Sequence, residues 1–262
     1  MQDFYGIIHA FPLYIIVLIR TSALLGVMPI FKRTSVPMRV KASLAALLAM
    51  VIMPTLPPEI TMDFVYPDTT LGWMCLVMKE VSIGLILGLV AAMVAAIPLA
   101  AGEFSSRDMG LSMAAAFNPE TRSPQTPISQ IFVTIFALLI LVTNTHLWFI
   151  ELLVQTYHIV PINGLNLDPS LAVKMVKLMS WIYMLGVKLA APIIAILFIT
   201  TVSIGIMSLA APQVNILMIS FPIRLAIGLT ITSLTIYSTG GQILNLIDKM
   251  KTQMMETLFL MG

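Results

Sequence analysis

The sequence predicts an all-α membrane protein, and three observations carry that prediction. Hydrophobic residues make up 59% of the 262 residues, and the mean hydropathy is +0.99. Charged residues make up only 10%, whereas about a quarter of a typical soluble domain is charged. Apolar stretches of bilayer-spanning length recur without the alternating period that a membrane β-barrel requires. The composition thus excludes a disordered chain and an ordinary water-soluble fold.

A bilayer core requires about 20 apolar residues of helix, and six segments meet or approach that length. The second segment is short, and several others are longer than one simple span. Prolines lie within or beside the segments and remove backbone donors, so we expect helical hairpins with kinked, broken helices that neighbouring protein covers. Ordinary proline kinks in a polytopic protein are the alternative. The segments are about 4–31, 42–56, 71–101, 128–154, 178–211 and 214–247.

The charges of the loops give no consistent topology. The loop 32–41 carries basic residues and no acid, which places it in the cytoplasm by the positive-inside rule. Six spans would then place the C-terminus outside, yet Lys249 and Lys251 favour the opposite side. Either the number of spans is wrong or some hairpins do not cross the bilayer.

The stretch 102–127 is the longest polar segment, and it mixes charges with methionine, phenylalanine and small residues. A merely solvated connection would be more polar, so we expect this loop to have a function. Met109 and Met113 lie one helical turn apart and fit either an adaptable contact surface or simple filler. Asn118-Pro119 predicts a helix start, and Asp168-Pro169 predicts another before the fifth segment.

Small residues recur every fourth position in the third segment. Residues four apart stack on one face of a helix, and a face of glycine and alanine allows a second helix to approach closely. We therefore predict a helix-packing face, with chance spacing as the alternative. The pattern does not indicate whether the partner helix belongs to this chain. The face comprises Gly84, Gly88, Ala92, Ala96 and Ala100.

Several charged residues interrupt the apolar segments. Isolated charges in lipid are costly, so we expect these side chains to face protein, water or one another. Snorkelling to the lipid headgroups is the alternative for Arg20 and Glu151. Buried polar pairing is predicted for Lys79, Glu80, Lys188 and Arg224.

The sequence shows no sign of covalent chemistry. It contains no HExxH, Walker or GxSxG motif. His9, His146 and His158 lie in separate apolar contexts, and Cys75 is the single cysteine. The net charge of +2 is too small for a nucleic-acid-binding surface. We therefore expect no catalytic residue, metal site, cofactor or nucleic-acid partner.

The stretch from Leu189 to Leu229 carries the most distinctive pattern. It contains Ala-Pro-Gln-Val-Asn at 211–215 and Phe-Pro at 221–222. This pattern closely resembles the FliR family of flagellar type III export-gate proteins and its injectisome counterparts. Leu209, Asp108 and Asn118 depart from the family pattern. Supporting matches, which extend over nearly the whole chain, are Arg20, Pro29, Pro37, Arg39, Lys79, Glu80, Gly84, Gly88, Met109, Gly110, Leu111, Asn144, His146 and Pro161.

The resemblance implies a role in a helical, hetero-oligomeric pore. One copy would assemble with about five FliP and four FliQ subunits, next to FlhA and FlhB, in the inner membrane at the flagellar basal body. The pore would pass unfolded flagellar proteins. The resemblance further implies that 1–127 is FliP-like, with a central plug loop at about 102–127. The part 128–262 would end in a FliQ-like hairpin at about 178–247.

The resemblance also assigns roles to individual residues. The pore plug would be about 106–117, comprising Ser106, Met109, Gly110, Leu111, Met113 and Phe117. A helix break that contacts other subunits would comprise Pro212, Gln213, Asn215 and Pro222.

A self-contained secondary transporter or channel for a small solute is the alternative function, because broken helices and intramembrane charges suit it as well. The absence of an inverted repeat in the sequence argues against it.

Overall fold

The computed structural model describes residues 2–28, 37–56, 66–111, 125–166, 168–213 and 215–262, with side chains from residue 11 onward except 217. These residues contain helices and no strand, so the all-α prediction is confirmed. A short 3-10 turn, Met53–Thr55, follows the second helix. The helices are α1 (Gln2–Val27), α2 (Met38–Ile52), α3 (Thr70–Asp108), α4 (Pro127–Val142), α5 (Thr145–Ile159), α6 (Pro169–Ala210) and α7 (Ile216–Phe259).

Four stretches of the described chain are long and apolar enough to cross a membrane, and α4 with α5 can supply a fifth. The prediction of six segments is therefore corrected to four or five candidate spans. The described apolar part of α1, Phe11–Val27, is too short to count among them. The four are Met38–Thr55, Thr70–Asp108, Pro169–Ala210 and Met218–Phe259.

The fourth predicted segment is broken rather than continuous. Helices α4 and α5 meet at an angle of 69°. Asn144 lies between them in the left-handed region, at φ 53°, which asparagine tolerates better than most residues. The hydroxyls of Thr143 and Thr145 hydrogen-bond to each other across the break, at 2.7 Å. The backbone at this point therefore bends without losing local polar partners.

Two helix starts follow the hydroxyl- or carboxylate-plus-proline pattern. The predicted start at Asp168-Pro169 is confirmed, since α6 begins at Pro169 and the Ser170 N–H donates to Asp168 Oδ1 at 2.7 Å. This hydrogen bond holds the pKa of Asp168 below its ordinary value. The start predicted at Asn118-Pro119 lies outside the described residues, and α4 begins at Pro127.

Helix α3 continues to Asp108 instead of ending at 101, so residues 102–108 are helical and not part of a polar loop. Two contacts explain the difference. Gly102 packs directly against the backbone of Ser129, and Glu103 Oε1 accepts the backbone N–H of Thr126 at 3.0 Å. Protein groups thus satisfy the polar side chains that the sequence analysis assigned to a solvated segment.

The chain forms two compact units, each discontinuous in sequence. Unit 1 comprises Met1–Met93, Thr143–Lys177 and Asp248–Gly262, and unit 2 comprises Val94–Val142 and Leu178–Ile247. The division at residue 127 into FliP-like and FliQ-like parts rests on resemblance and stays a prediction. The core of unit 1 includes Ile16, Leu24, Leu152, Tyr157, Met250, Met254 and Leu258. The core of unit 2 includes Val94, Ile97, Phe132, Phe136, Ile193, Leu197 and Ile243.

The partner of the small-residue face is helix α1 of the same chain at two positions. A Cβ added to Gly84 would lie 2.6 Å from the Arg20 carbonyl oxygen, and one added to Gly88 would lie 3.0 Å from that of Leu24. Ala92 and Ala96, farther along α3, are partly exposed. The backbones of α1 and α3 therefore touch where the glycines lie.

Replacing Gly84 with leucine should destabilise unit 1 by about 1–3 kcal/mol or more, because the new side chain would meet backbone that cannot move aside. Thermal unfolding of the purified protein in detergent measures the loss. The matched control is Gly26→Leu on α1, where nothing lies within 4 Å of an added Cβ. Equal melting temperatures for the two variants would contradict the close packing.

Candidate functional site

A buried ion pair lies at the centre of unit 1. Arg20 on α1 donates from Nε to Glu80 Oε2 on α3 at 2.6 Å, and both side chains are fully buried. The sequence analysis left open whether Arg20 snorkels to headgroups, and its zero exposure in the folded chain decides against that alternative. Two charges removed from water require further hydrogen bonds to offset their desolvation.

The end of α5 supplies those hydrogen bonds to Arg20. Its Nη1 donates to the carbonyl oxygens of Thr156 at 3.1 Å and of Val160 at 3.0 Å. The guanidinium carbon lies 4.1 Å from the centre of the Tyr157 ring. Carbonyls at a helix C-terminus lack intrahelical donors and carry partial negative charge, so a cation is favourable there. Arg20 therefore both pairs with Glu80 and caps α5.

The turn between α5 and α6 completes the cluster. Glu80 Oε1 accepts the backbone N–H of Asn163 at 3.3 Å. Lys79 Nζ donates to the carbonyl oxygen of Asn163 at 3.1 Å and to its Oδ1 at 2.9 Å. Asn163 has a φ of 67°, a left-handed conformation that asparagine tolerates. Lys79 departs from the prediction of a buried pair, because it is only half-buried and binds amide oxygens instead of a carboxylate.

The two remaining predicted charges lie in unit 2. Lys188 is exposed on α6, so the prediction that it is buried is wrong for the chain alone, where the surface around it has no covering element. Arg224 on α7 is half-buried, and its Nε is enclosed without a hydrogen-bond partner among the described residues. Asp108 is close enough to Arg224 for their charges to attract.

Polar contacts join the two ends of the predicted plug loop. Ser106 Oγ, near the end of α3, lies 2.7 Å from Thr126 Oγ1, just before α4. Glu103 accepts from the Thr126 N–H and hydroxyl, and the Ser129 hydroxyl donates to the Thr126 carbonyl oxygen at 2.8 Å. We call Glu103, Ser106, Thr126 and Ser129 the polar stem. It fixes where the loop leaves and re-enters unit 2.

The other predicted plug residues divide into two groups. Met109 is fully buried, Gly110 lies at φ 82° and Leu111 is partly exposed. Met113 and Phe117 lie outside the described residues. The described part of the predicted plug is therefore the root of the loop, and its first residue, Ser106, is helical.

The predicted break between the last two helices is present. Pro212 and Gln213 form the turn, and the Asn215 carbonyl oxygen accepts the N–H of Met218 at 3.1 Å as α7 begins. Pro222 lies inside α7, in its exposed first part. An apolar depression beside the turn is lined by Ile204, Met207, Ala211, Ile216, Ile219 and Ile223.

Known proteins resemble this chain over most of its length. A family model described as bacterial export proteins, family 1, matches residues 11–250. The chain belongs to this family. The flagellar biosynthetic protein FliR of Escherichia coli (strain K12) is 33% identical, over 84% of this chain and 82% of its own length. FliR of Bacillus subtilis (strain 168) is 29% identical over 85% of each chain.

The match to the family covers both the ion pair of unit 1 and the polar stem of unit 2. Sequence reasoning identified Glu80 but missed its partner, because the two residues are 60 positions apart. It also missed Thr126, although the pair Thr126-Pro127 carries the same helix-start signal as Asp168-Pro169. Among the described residues, no group of histidine, cysteine or acidic side chains could hold a metal ion.

Removing the charge of Glu80 should destabilise the protein strongly. In Glu80→Gln the buried Arg20 would lose its counter-charge, at a cost of about 3–5 kcal/mol. Thermal unfolding in detergent measures this cost. The control is Glu256→Gln, which breaks the partly exposed pair with Lys174 and should cost less than about 1 kcal/mol.

The double variant Arg20→Met with Glu80→Met separates charge from packing. It should be more stable than Glu80→Gln, because no unpaired charge stays buried. A double variant that unfolds at a lower temperature than the single one would contradict this account.

Proposed function

We propose that the chain is the subunit that completes and plugs the pore of the flagellar type III export gate, through which unfolded flagellar proteins pass. It is a membrane-embedded component of the flagellar export apparatus, with no catalytic role of its own. The observation that carries the proposal is the loop after α3, whose two ends are joined by the polar stem in a member of the export family. A loop with a fixed base can block a pore and still move at its tip.

The lengths of the helices support assembly with other proteins. Helices α3, α6 and α7 have 39, 42 and 44 residues, which correspond to about 58–66 Å at 1.5 Å per residue. The hydrocarbon core of a bilayer is about 30 Å thick, and typical tilts do not absorb a twofold excess. A large part of each helix therefore needs cover from protein or water instead of lipid.

The exposed apolar surface indicates where that protein cover lies. Only 11% of the most apolar part of α6, and 11% of that of α7, is buried within the chain. Patches of this extent mark interaction surfaces. In our proposal, about five FliP and four FliQ subunits cover these helices, FlhA and FlhB lie beside the assembled gate, and the whole is held in the inner membrane at the flagellar basal body.

The charges of the α6–α7 hairpin point the same way. Ile204 and Ile223 line one depression, which places Arg224 about level with Ile204. The stretch of α6 from Lys188 to Ile204 is about 24 Å long, which is less than the thickness of a bilayer core. Lipid therefore cannot exclude both cations, and we propose that Lys188 pairs with a carboxylate of a neighbouring subunit.

The remaining assignments follow from the same assembly. Pro212, Gln213 and Asn215 form an exposed turn that suits contact with neighbouring subunits, and Pro222 lies on an exposed part of α7. Ala92 and Ala96, which α1 does not cover fully, are proposed to pack against another subunit. The parts 1–127 and 128–262 are proposed to occupy FliP-like and FliQ-like positions in the ring.

Purification tests the assembly. When FliP carries the affinity tag, this chain and FliQ should co-elute in a fixed ratio of one to about five FliP and four FliQ. Lys188→Glu should reduce its recovery severalfold, whereas Lys177→Glu, an exposed lysine three turns earlier on α6, should not. A chain that purifies as a monomer and moves a small solute in liposomes would favour the transporter alternative and sink the proposal.

Excision of the loop tests the plug. Because Ser106 and Thr126 already touch, residues 112–124 can be replaced by a short Gly-Ser linker without moving α3 or α4. The assembled gate should then conduct ions in a planar bilayer, whereas the intact gate should not. The same linker in place of 57–65 serves as the control. Unchanged conductance in a fully assembled complex would show that the loop is only a connection.

A further inference from the structure

The end of α3 contacts one face of α7 at a notch formed by a glycine. A Cβ added to Gly228 would lie 2.6 Å from Met109 Cγ, 2.8 Å from its Cε and 2.9 Å from its Sδ. The whole thioether side chain therefore fills the space that a side chain at Gly228 would occupy. Met109 is fully buried as a result.

The next residue sets the direction in which the chain leaves α3. Gly110 has a φ of 82°, and its N–H donates to the Arg107 carbonyl oxygen at 3.0 Å, which ends the helix. The Phe221 ring lies 3.0 Å from where a Cβ of Gly110 would be. Phe221 and Gly228 are seven residues apart and share a face of α7. Met109 and Gly110 thus dock on the same face.

Arg224 lies between these two contacts on α7, and its charge attracts that of Asp108. Its Nε is nevertheless buried without a hydrogen-bond partner among the described residues. A buried donor without a partner carries a free-energy cost that a rearrangement can relieve. The docked end of α3 is therefore held by apolar contact while the neighbouring polar groups are incompletely satisfied.

We propose that the contact of Met109 with Gly228, the Met109 latch, is autoinhibitory: it holds the loop root in the closed arrangement and separates when the gate opens. This inference rests on the proposed plug function. The polar stem has directional hydrogen bonds and stays fixed, whereas the latch has none to break. A flexible thioether can leave the notch and pack against other apolar groups. The last turn of α3, after Ser106, is the part that moves.

A disulfide that locks the latch tests the proposal. Met109→Cys with Gly228→Cys, in a Cys75→Ser background, places a sulfur near the present Met109 Cγ, which is within bonding reach of residue 228. After oxidation of the assembled gate, export of a flagellar substrate should fall at least tenfold, and a reductant should restore it. Each single cysteine variant, treated with the same oxidant, is the control. Mass spectrometry establishes that the disulfide has formed.

A second variant opens the latch instead of locking it. Gly228→Val should displace Met109 and make the assembled gate leak ions severalfold more than the intact gate. Gly205→Val on the same hairpin is the control, because nothing lies within 4 Å of its added Cβ. Normal conductance of Gly228→Val in an assembled gate would overturn the latch.

The outcomes separate the latch from the plug. If the loop-excised gate leaks but the cross-linked gate exports normally, the latch is wrong and the plug stands. If the excised gate does not leak, the proposed plug function and the latch fall together. If the two cysteines do not bond on oxidation, the contact itself is wrong. Blocked export that returns on reduction, in a gate that leaks when its loop is excised, supports both.

Discussion

The buried pair of Arg20 and Glu80 is the interaction on which the arrangement of unit 1 depends. Burying two charges costs several kcal/mol for each ion, and the cost is offset only when every remaining donor and acceptor finds a partner. Arg20 meets that condition through the last carbonyls of α5, and Glu80 meets it through the N–H of Asn163. The pair is therefore stable only when α1, α3 and the α5–α6 turn are in place together.

The ion pair and the small-residue face are parts of one structure. Glu80, Gly84 and Gly88 are spaced four apart and therefore share a face of α3. The two glycines bring the α1 backbone against α3, and the atom nearest to Gly84 is the carbonyl oxygen of Arg20 itself. Without that close approach the guanidinium would not reach the carboxylate. Packing at the glycines and pairing at the charges thus depend on each other.

The sequence predicts the part of this arrangement that is local. The all-α class, the start of α6 at Pro169 and the glycine spacing on α3 follow from composition, capping and helical period. The partner of Glu80 does not, because no local pattern links residues 60 positions apart. The extension of α3 to Asp108 was missed because Glu103 and Ser106 resemble a solvated loop until Thr126 supplies their partners. Met109 was recognised as unusual, but its glycine notch on α7 depends on tertiary contact.

The root of the loop combines two kinds of contact that differ in how they can be broken. Separating the polar stem would leave the Glu103 carboxylate and three hydroxyls without partners, and buried groups of this kind are costly to leave unpaired. Withdrawing Met109 from Gly228 breaks no hydrogen bond and exposes only apolar surface, which any apolar side chain of a passing polypeptide can cover again. A substrate in the pore could therefore offset the cost of opening through its own contacts, whereas nothing in an unfolded chain would replace the stem. This difference assigns the fixed role to the stem and the movable role to the last turn of α3.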